Sequence, residues 1–169
     1  MKVLFLDIDG VLNSHRTAIA FGGMFGVDKL DPIAVRLVRG IVDTADACVV
    51  LSSSWRLTHD FRELGKQLDL PMIDRTPSLV GPRGKEIKAW LDGHPECTRY
   101  AIVDDDGDML PEQTPYFVQT NMREGFTWAS AERLCEVLGV RIYDVNRGRP
   151  LAAEGRTLQW TPDDGKSEE

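Results

Sequence analysis

Four consecutive apolar residues, Val3-Leu4-Phe5-Leu6, stop abruptly at Asp7. A run apolar at every position, rather than every second one, fits a strand covered on both faces, as in a parallel sheet between helical layers. The pattern returns at Ala47–Leu51 and Tyr100–Val103, and shorter runs at Pro71–Ile73 and Tyr116–Gln119 add two candidate strands. Helical signals fall between them. Asp31 and Pro32 suit the N-cap and N1 positions of a helix whose apolar face is Ile33, Val35, Leu37, Val38, Ile41 and Val42. Leu57, Phe61, Leu64 and Leu68 lie near helical spacing and predict a helix across Trp55–Leu68. After the break Gly81-Pro82-Arg83-Gly84, Lys85 begins a third helix through Leu91. A fourth runs from Trp128 to Leu138 with Thr127 as N-cap. Residues 13–30 carry three glycines and little periodicity, and read as a loop or flap.

Strands alternating with helices predict an α/β fold, a Rossmann-like three-layer sandwich with a mostly parallel central sheet. The core spans residues 1–140. The polar remainder, 141–169, reads as an extension with room for an edge hairpin and a disordered end, TPDDGKSEE. In such sheets ligands bind beyond the carboxyl ends of the strands. Three of the strands end in polar clusters: Asp7 and Asp9, Ser52–Ser54, and Asp104–Asp108. Neighbouring strands would bring those clusters together. Two carboxylates at the end of a buried strand need a compensating partner: a metal ion, a cation or a solvated turn.

Bulk properties narrow the chemistry. The net charge of -7 opposes a broad electrostatic grip on nucleic acid, though not a local basic patch. Cys48, Cys97 and Cys135 are widely spaced, which predicts neither a disulfide framework nor a zinc site and fits a reducing, cytoplasmic setting. The first apolar run is too short for a signal peptide, and no stretch approaches the ~18 apolar residues of a membrane span. Asp104–Asp108 is no calcium loop, because Met109 and Pro115 stand where glycine and glutamate are needed. No GxxxxGK[ST] loop points to ATP, and no GxSxG elbow points to a serine hydrolase. Clustered acids attract a hard cation such as magnesium. Hydroxyls and a lysine in the first turn of a helix suit phosphate oxygens. The combination predicts phosphoryl transfer.

These parts, in this order, resemble the haloacid dehalogenase (HAD) superfamily of phosphatases. Its motif DxDx[TV] is matched by Asp7-Ile8-Asp9-Gly10-Val11, its strand-ending hydroxyl by Ser52, its helix-start lysine by Lys85, and its acid pair by Asp104-Asp105. SSSWR, RGKEIKAWL and REGFTWASAERL are further similar to the small HAD domains of nucleic-acid repair proteins of the polynucleotide kinase-phosphatase type. The resemblance implies that Asp7 attacks phosphorus and that Asp9 acts as general acid and base. It implies magnesium on Asp7, the Asp9 carbonyl and Asp105, with Asp108 as the alternative to Asp105. It also implies that Asp104 faces Lys85, and that Ser52 and Lys85 bind phosphate with help from Ser53 and Arg56. Trp55 reads as a packing residue, with stacking on a base the alternative.

The gaps at 13–30 and 70–84 are short, so little or no cap domain is expected over the site. An open site suits a large phosphorylated substrate, such as a polynucleotide end carrying a 3′-phosphate. His15, Arg16, Lys29, Arg56, Arg83 and Arg123 are candidate backbone contacts. A nucleotidase and a non-catalytic HAD-fold binding module are the alternatives. Oligomeric state is not legible.

Overall fold

The computed structural model describes residues 1–24 and 26–145. Five parallel strands form one sheet: β1 (Lys2–Leu6), β2 (Ala47–Leu51), β3 (Met72–Arg75), β4 (Arg99–Asp104) and β5 (Phe117–Gln119), in the spatial order β3-β2-β1-β4-β5. The chain thus steps outward from β1 through β2 to β3, then crosses back to β4 on the other side. The order reverses at β1, which creates the crevice where α/β sheets bind ligands. Register sets what meets there. Leu6 lies opposite Leu51 of β2 and Val103 of β4, so Asp7, Ser52 and Asp104 share one level. Backbone hydrogen bonds hold them, Asp7 N–H to the Val103 carbonyl (3.0 Å) and Ser52 N–H to the Leu6 carbonyl (2.9 Å).

Alternation along β1 divides the core. Leu4 and Leu6 face the larger cluster, built with α2 (Pro32–Ala45), α3 (Phe61–Leu68) and α5 (Trp128–Leu138). Val3 and Phe5 face the smaller one, with Ile87 and Trp90 of α4 (Arg83–Asp92). These four apolar residues of β1 are fully buried, as a strand apolar on both faces requires. Asp31 caps α2 and Thr127 caps α5, as their sequence signals predict.

Two segments differ from expectation. Within 13–30 the chain forms α1 (His15–Phe21) and a 3-10 turn (Val27–Lys29). A reciprocal capping box of Ser14 and Thr17 starts α1, and Gly22, at φ +70°, ends it. Periodicity is silent because Ile19 and Phe21 remain exposed. The helix is anchored instead through its backbone, His15 N–H reaching the Met122 carbonyl at 2.8 Å. The expected helix across Trp55–Leu68 is interrupted. Ser54–Leu57 is a 3-10 turn, and Asp60 then caps α3 by accepting from the N–H groups of Arg62 and Glu63. Local side-chain capping thus overrides an apolar spacing that would carry one helix through. The hairpin and disordered end expected after Gly139 fall almost wholly outside the described residues; within them, Ile142–Asp144 form a 3-10 turn.

Candidate active site

Asp7, Asp104 and Asp105 converge at the carboxyl ends of β1 and β4, each offering an oxygen within 4.8 Å of the others. Asp7 and Asp104 are 5% and 1% exposed. Such crowding has an electrostatic signature. Burial, reinforced by the Asp104 charge, pushes the Asp7 carboxyl well above the usual range, while the Ser53 hydroxyl and Arg83 pull the other way. Burial raises Asp104 to about 7 against the lowering effects of the Asp106 amide and Arg83. Asp105 is raised chiefly by burial as well. Three acids so placed favour protonation or a cation, and the oxygen-only donor set fits a hard divalent ion.

Strand alternation would turn Asp104 and Asp105 apart, yet both reach this cluster. The reason is that β4 ends at Asp104. The Asp104 carboxylate accepts the Asp106 N–H at 3.0 Å, and the chain curls so that Asp105 swings toward Gly10. Gly10 itself sits at φ +71°, and a Cβ there would strike the Asp105 carboxylate. Asp108 has another use. Its carboxylate accepts the Arg83 N–H at 2.7 Å, capping the start of α4.

The expected pairing of Asp104 with Lys85 is replaced. Lys85 is exposed, whereas the Arg83 guanidinium lies 3.6 Å from Asp104 and 3.6 Å from Glu86. Helix α4 begins at Arg83 rather than Lys85, so the residue on its inward first turn is Arg83. Ser52 is buried with its hydroxyl lacking a partner, and Ser53 caps the following turn. Arg56 is 6% exposed and is held away from solvent. Its guanidinium donates two 2.7 Å hydrogen bonds to Glu86 and one to the Ser53 carbonyl. Glu86 also accepts the Leu79 N–H at 2.9 Å, so this buried pair ties the 53–57 turn, α4 and the 79–81 loop together. A cleft of about 160 Å³ opens beside them, lined by Ser54, Leu57, Gly81, Arg83 and Asp108 among others.

Asp9 is half-buried and is not one of the three clustered acids, though its charge helps to raise the Asp105 carboxyl. Each of its oxygens receives one donor: the Trp55 indole N–H at 3.0 Å and the Asn13 amide at 2.7 Å. Neither contact is legible from spacing, because Trp55 is 46 residues away. Asn13 lies four positions on, but nothing in its type distinguishes it from a turn residue.

Among the described residues no helix is long and apolar enough to cross a membrane. No curated protein and no solved structure matches the chain. One family does. It is the HAD domain in Swiss Army Knife RNA repair proteins, its match covers residues 3–131, from β1 into the first turn of α5, and the chain belongs to it.

Proposed function

We propose that this protein is a magnesium-dependent phosphomonoester hydrolase that works through an aspartyl-phosphate on Asp7 and removes phosphate from a nucleic-acid end. The observation that carries this reading is the convergence of Asp7, Asp104 and Asp105 at the sheet's switch point. Those three carboxylates would hold the ion together with the Asp9 carbonyl. When bound, magnesium neutralises the acids and relieves repulsion between Asp7 and a phosphate dianion.

The residues divide the work as follows. An Asp7 carboxylate oxygen attacks phosphorus, and the bond from phosphorus to the leaving oxygen breaks as Asp9 gives that oxygen a proton. Asp9, now ionised, takes a proton from water as the water oxygen attacks phosphorus. The bond from phosphorus to Asp7 breaks, inorganic phosphate departs, and both acids return to their starting states. The unpartnered Ser52 hydroxyl would donate to a phosphate oxygen. Arg83, rather than Lys85, would supply the cation, because its guanidinium lies 3.6 Å from Asp104 and its Nη1 has no hydrogen-bond partner. Lys85, exposed on the first turn of α4, and Ser53 remain as outer contacts; Arg56 supports the cleft wall through Glu86.

The family's RNA repair setting supports an RNA end as substrate. So does the shortness of the 13–30 segment, which would leave little to cover the site and suit a large molecule. The test is phosphate release by wild type and Asp7→Asn, with and without magnesium. The substrates are an aryl phosphate, mononucleotides and a 3′-phosphorylated oligoribonucleotide. Magnesium-dependent release favouring the oligonucleotide, and lost in the variant, is the expected result. Preference for mononucleotides would make it a nucleotidase. Activity retained by Asp7→Asn would overturn the mechanism.

A further inference from the structure

We infer that Trp55 and Asn13 form a two-point clamp that fixes the direction of the Asp9 carboxylate, making both of them positioning residues for proton transfer to the leaving group. The inference rests on the reading of Asp9 as the proton-transferring acid, and adds to it a claim about what holds that acid in place.

Asp9 lies on the loop after β1, half-buried, on a side chain with two rotatable bonds. Left alone it would sample several directions, and proton transfer needs one. The Trp55 indole takes one oxygen and the Asn13 amide the other, so rotation about either bond breaks a hydrogen bond. The two clamping groups are themselves rigid. Asn13 is fully buried; its Oδ1 accepts the Gly10 N–H at 3.0 Å, and its Nδ2 also donates to the Met24 carbonyl at 3.0 Å. Trp55 is 6% exposed, lies in the Ser54–Leu57 turn with its N–H donated to the capping Ser53 hydroxyl, and stacks on His59 with ring centroids 4.6 Å apart. A buried indole N–H needs some acceptor. Here the acceptor is the one carboxylate of the loop that lies outside the clustered acids, and a second buried donor meets its other oxygen. Asn13 further joins Asp9 to the 15–30 segment through Met24, so the direction of the acid is tied to the position of that segment.

Trp55→Phe removes the indole donor and keeps an aromatic ring. The readout is kcat/KM, which covers all steps through departure of the leaving group. It is measured for an aryl phosphate, whose leaving oxygen needs little protonation, and for the 3′-phosphorylated oligoribonucleotide, whose leaving alkoxide needs a proton. We expect the oligonucleotide value to fall by roughly 10- to 100-fold, and by at least about tenfold more than the aryl value. Equal falls on both substrates would mean a general packing defect and overturn the clamp, as would no fall on either. A second measurement does not depend on Trp55→Phe and uses Asp9→Ala protein whose circular dichroism and urea midpoint show it folded. In wild type the Trp55 indole proton, identified by NMR, exchanges with solvent at least about tenfold more slowly than in Asp9→Ala. Equal exchange rates would overturn the hydrogen bond itself. A wild-type protein inactive on every substrate would instead strike the phosphatase reading, with the exchange result standing separately.

Discussion

Replacing Asp104 with asparagine will flatten the pH dependence of stability in the metal-free protein. Asp104 is 1% exposed and its carboxyl is raised to about 7, against an unfolded value near 3.8. A group whose folded pKa is raised binds its proton more tightly in the native state. Its stabilisation is complete below about pH 4 and is lost as the pH rises through about 7. Across that whole interval the single group is worth about 4 kcal/mol, and between about pH 5 and 8 it is worth about 2–3 kcal/mol. Asparagine keeps an oxygen to accept the Asp106 N–H and cannot ionise. It also deprives Arg83 of an anionic neighbour, a loss felt only where wild-type Asp104 is ionised, and that attraction is already contained in the raised Asp104 value. The assay is urea denaturation in chelator at the two pH values, for wild type and Asp104→Asn. Wild type is expected to lose stability relative to the variant on going to the higher pH. Asp7 is raised by burial too, so a smaller slope of the same sign will persist in Asp104→Asn. Parallel pH profiles for the two proteins would refute the argument. Magnesium, which replaces the proton as the compensating charge, is expected to restore wild type at the higher pH and to do less for the variant.

Three other perturbations probe different parts of the site. Glu86→Ala leaves the Arg56 guanidinium buried beside an empty space and is expected to cost about 3–5 kcal/mol by urea denaturation, with Arg56→Met as a partial rescue; a loss under ~1 kcal/mol would show that the pair is dispensable. Gly10→Ala places a Cβ on the Asp105 carboxylate at a left-handed backbone position, and is expected to weaken magnesium binding at least about tenfold by titration calorimetry. An unchanged affinity would remove Asp105 from the metal site. Arg83→Ala is expected to lower kcat/KM at least about tenfold more than Lys85→Ala, since Arg83 faces Asp104 and Lys85 faces solvent; the reverse order would return the phosphate contact to Lys85.

What the sequence reveals here follows from the range of the interactions involved. The strands of the sheet centre were legible because burial on both faces writes itself into consecutive apolar residues, and the crevice was legible because each of those strands stops at a polar cluster. The helix α1 was not, since its start is a reciprocal bond between Ser14 and Thr17 and its anchor is the backbone of residues 122–123. The placement of Arg83 over Lys85 turned on where α4 begins, a shift of two residues that rotates a different side chain toward Asp104. Asp105 escaped the alternation rule because the rule ends where the strand ends.

The Asp9 contacts leave no trace in the hydrophobic pattern. Trp55 was expected to pack in the core or to stack on a base, and its ring is indeed buried against the larger apolar cluster. Its single polar atom, however, points at a carboxylate from another strand's loop. Hydrophobic pattern reports where a side chain's surface goes and is silent about the one N–H at its edge. A tryptophan directly following a strand-ending serine cluster combines a rigid apolar body with one donor at the rim of the site. That combination is a physical reason to ask, in such a sequence, which acid the donor meets.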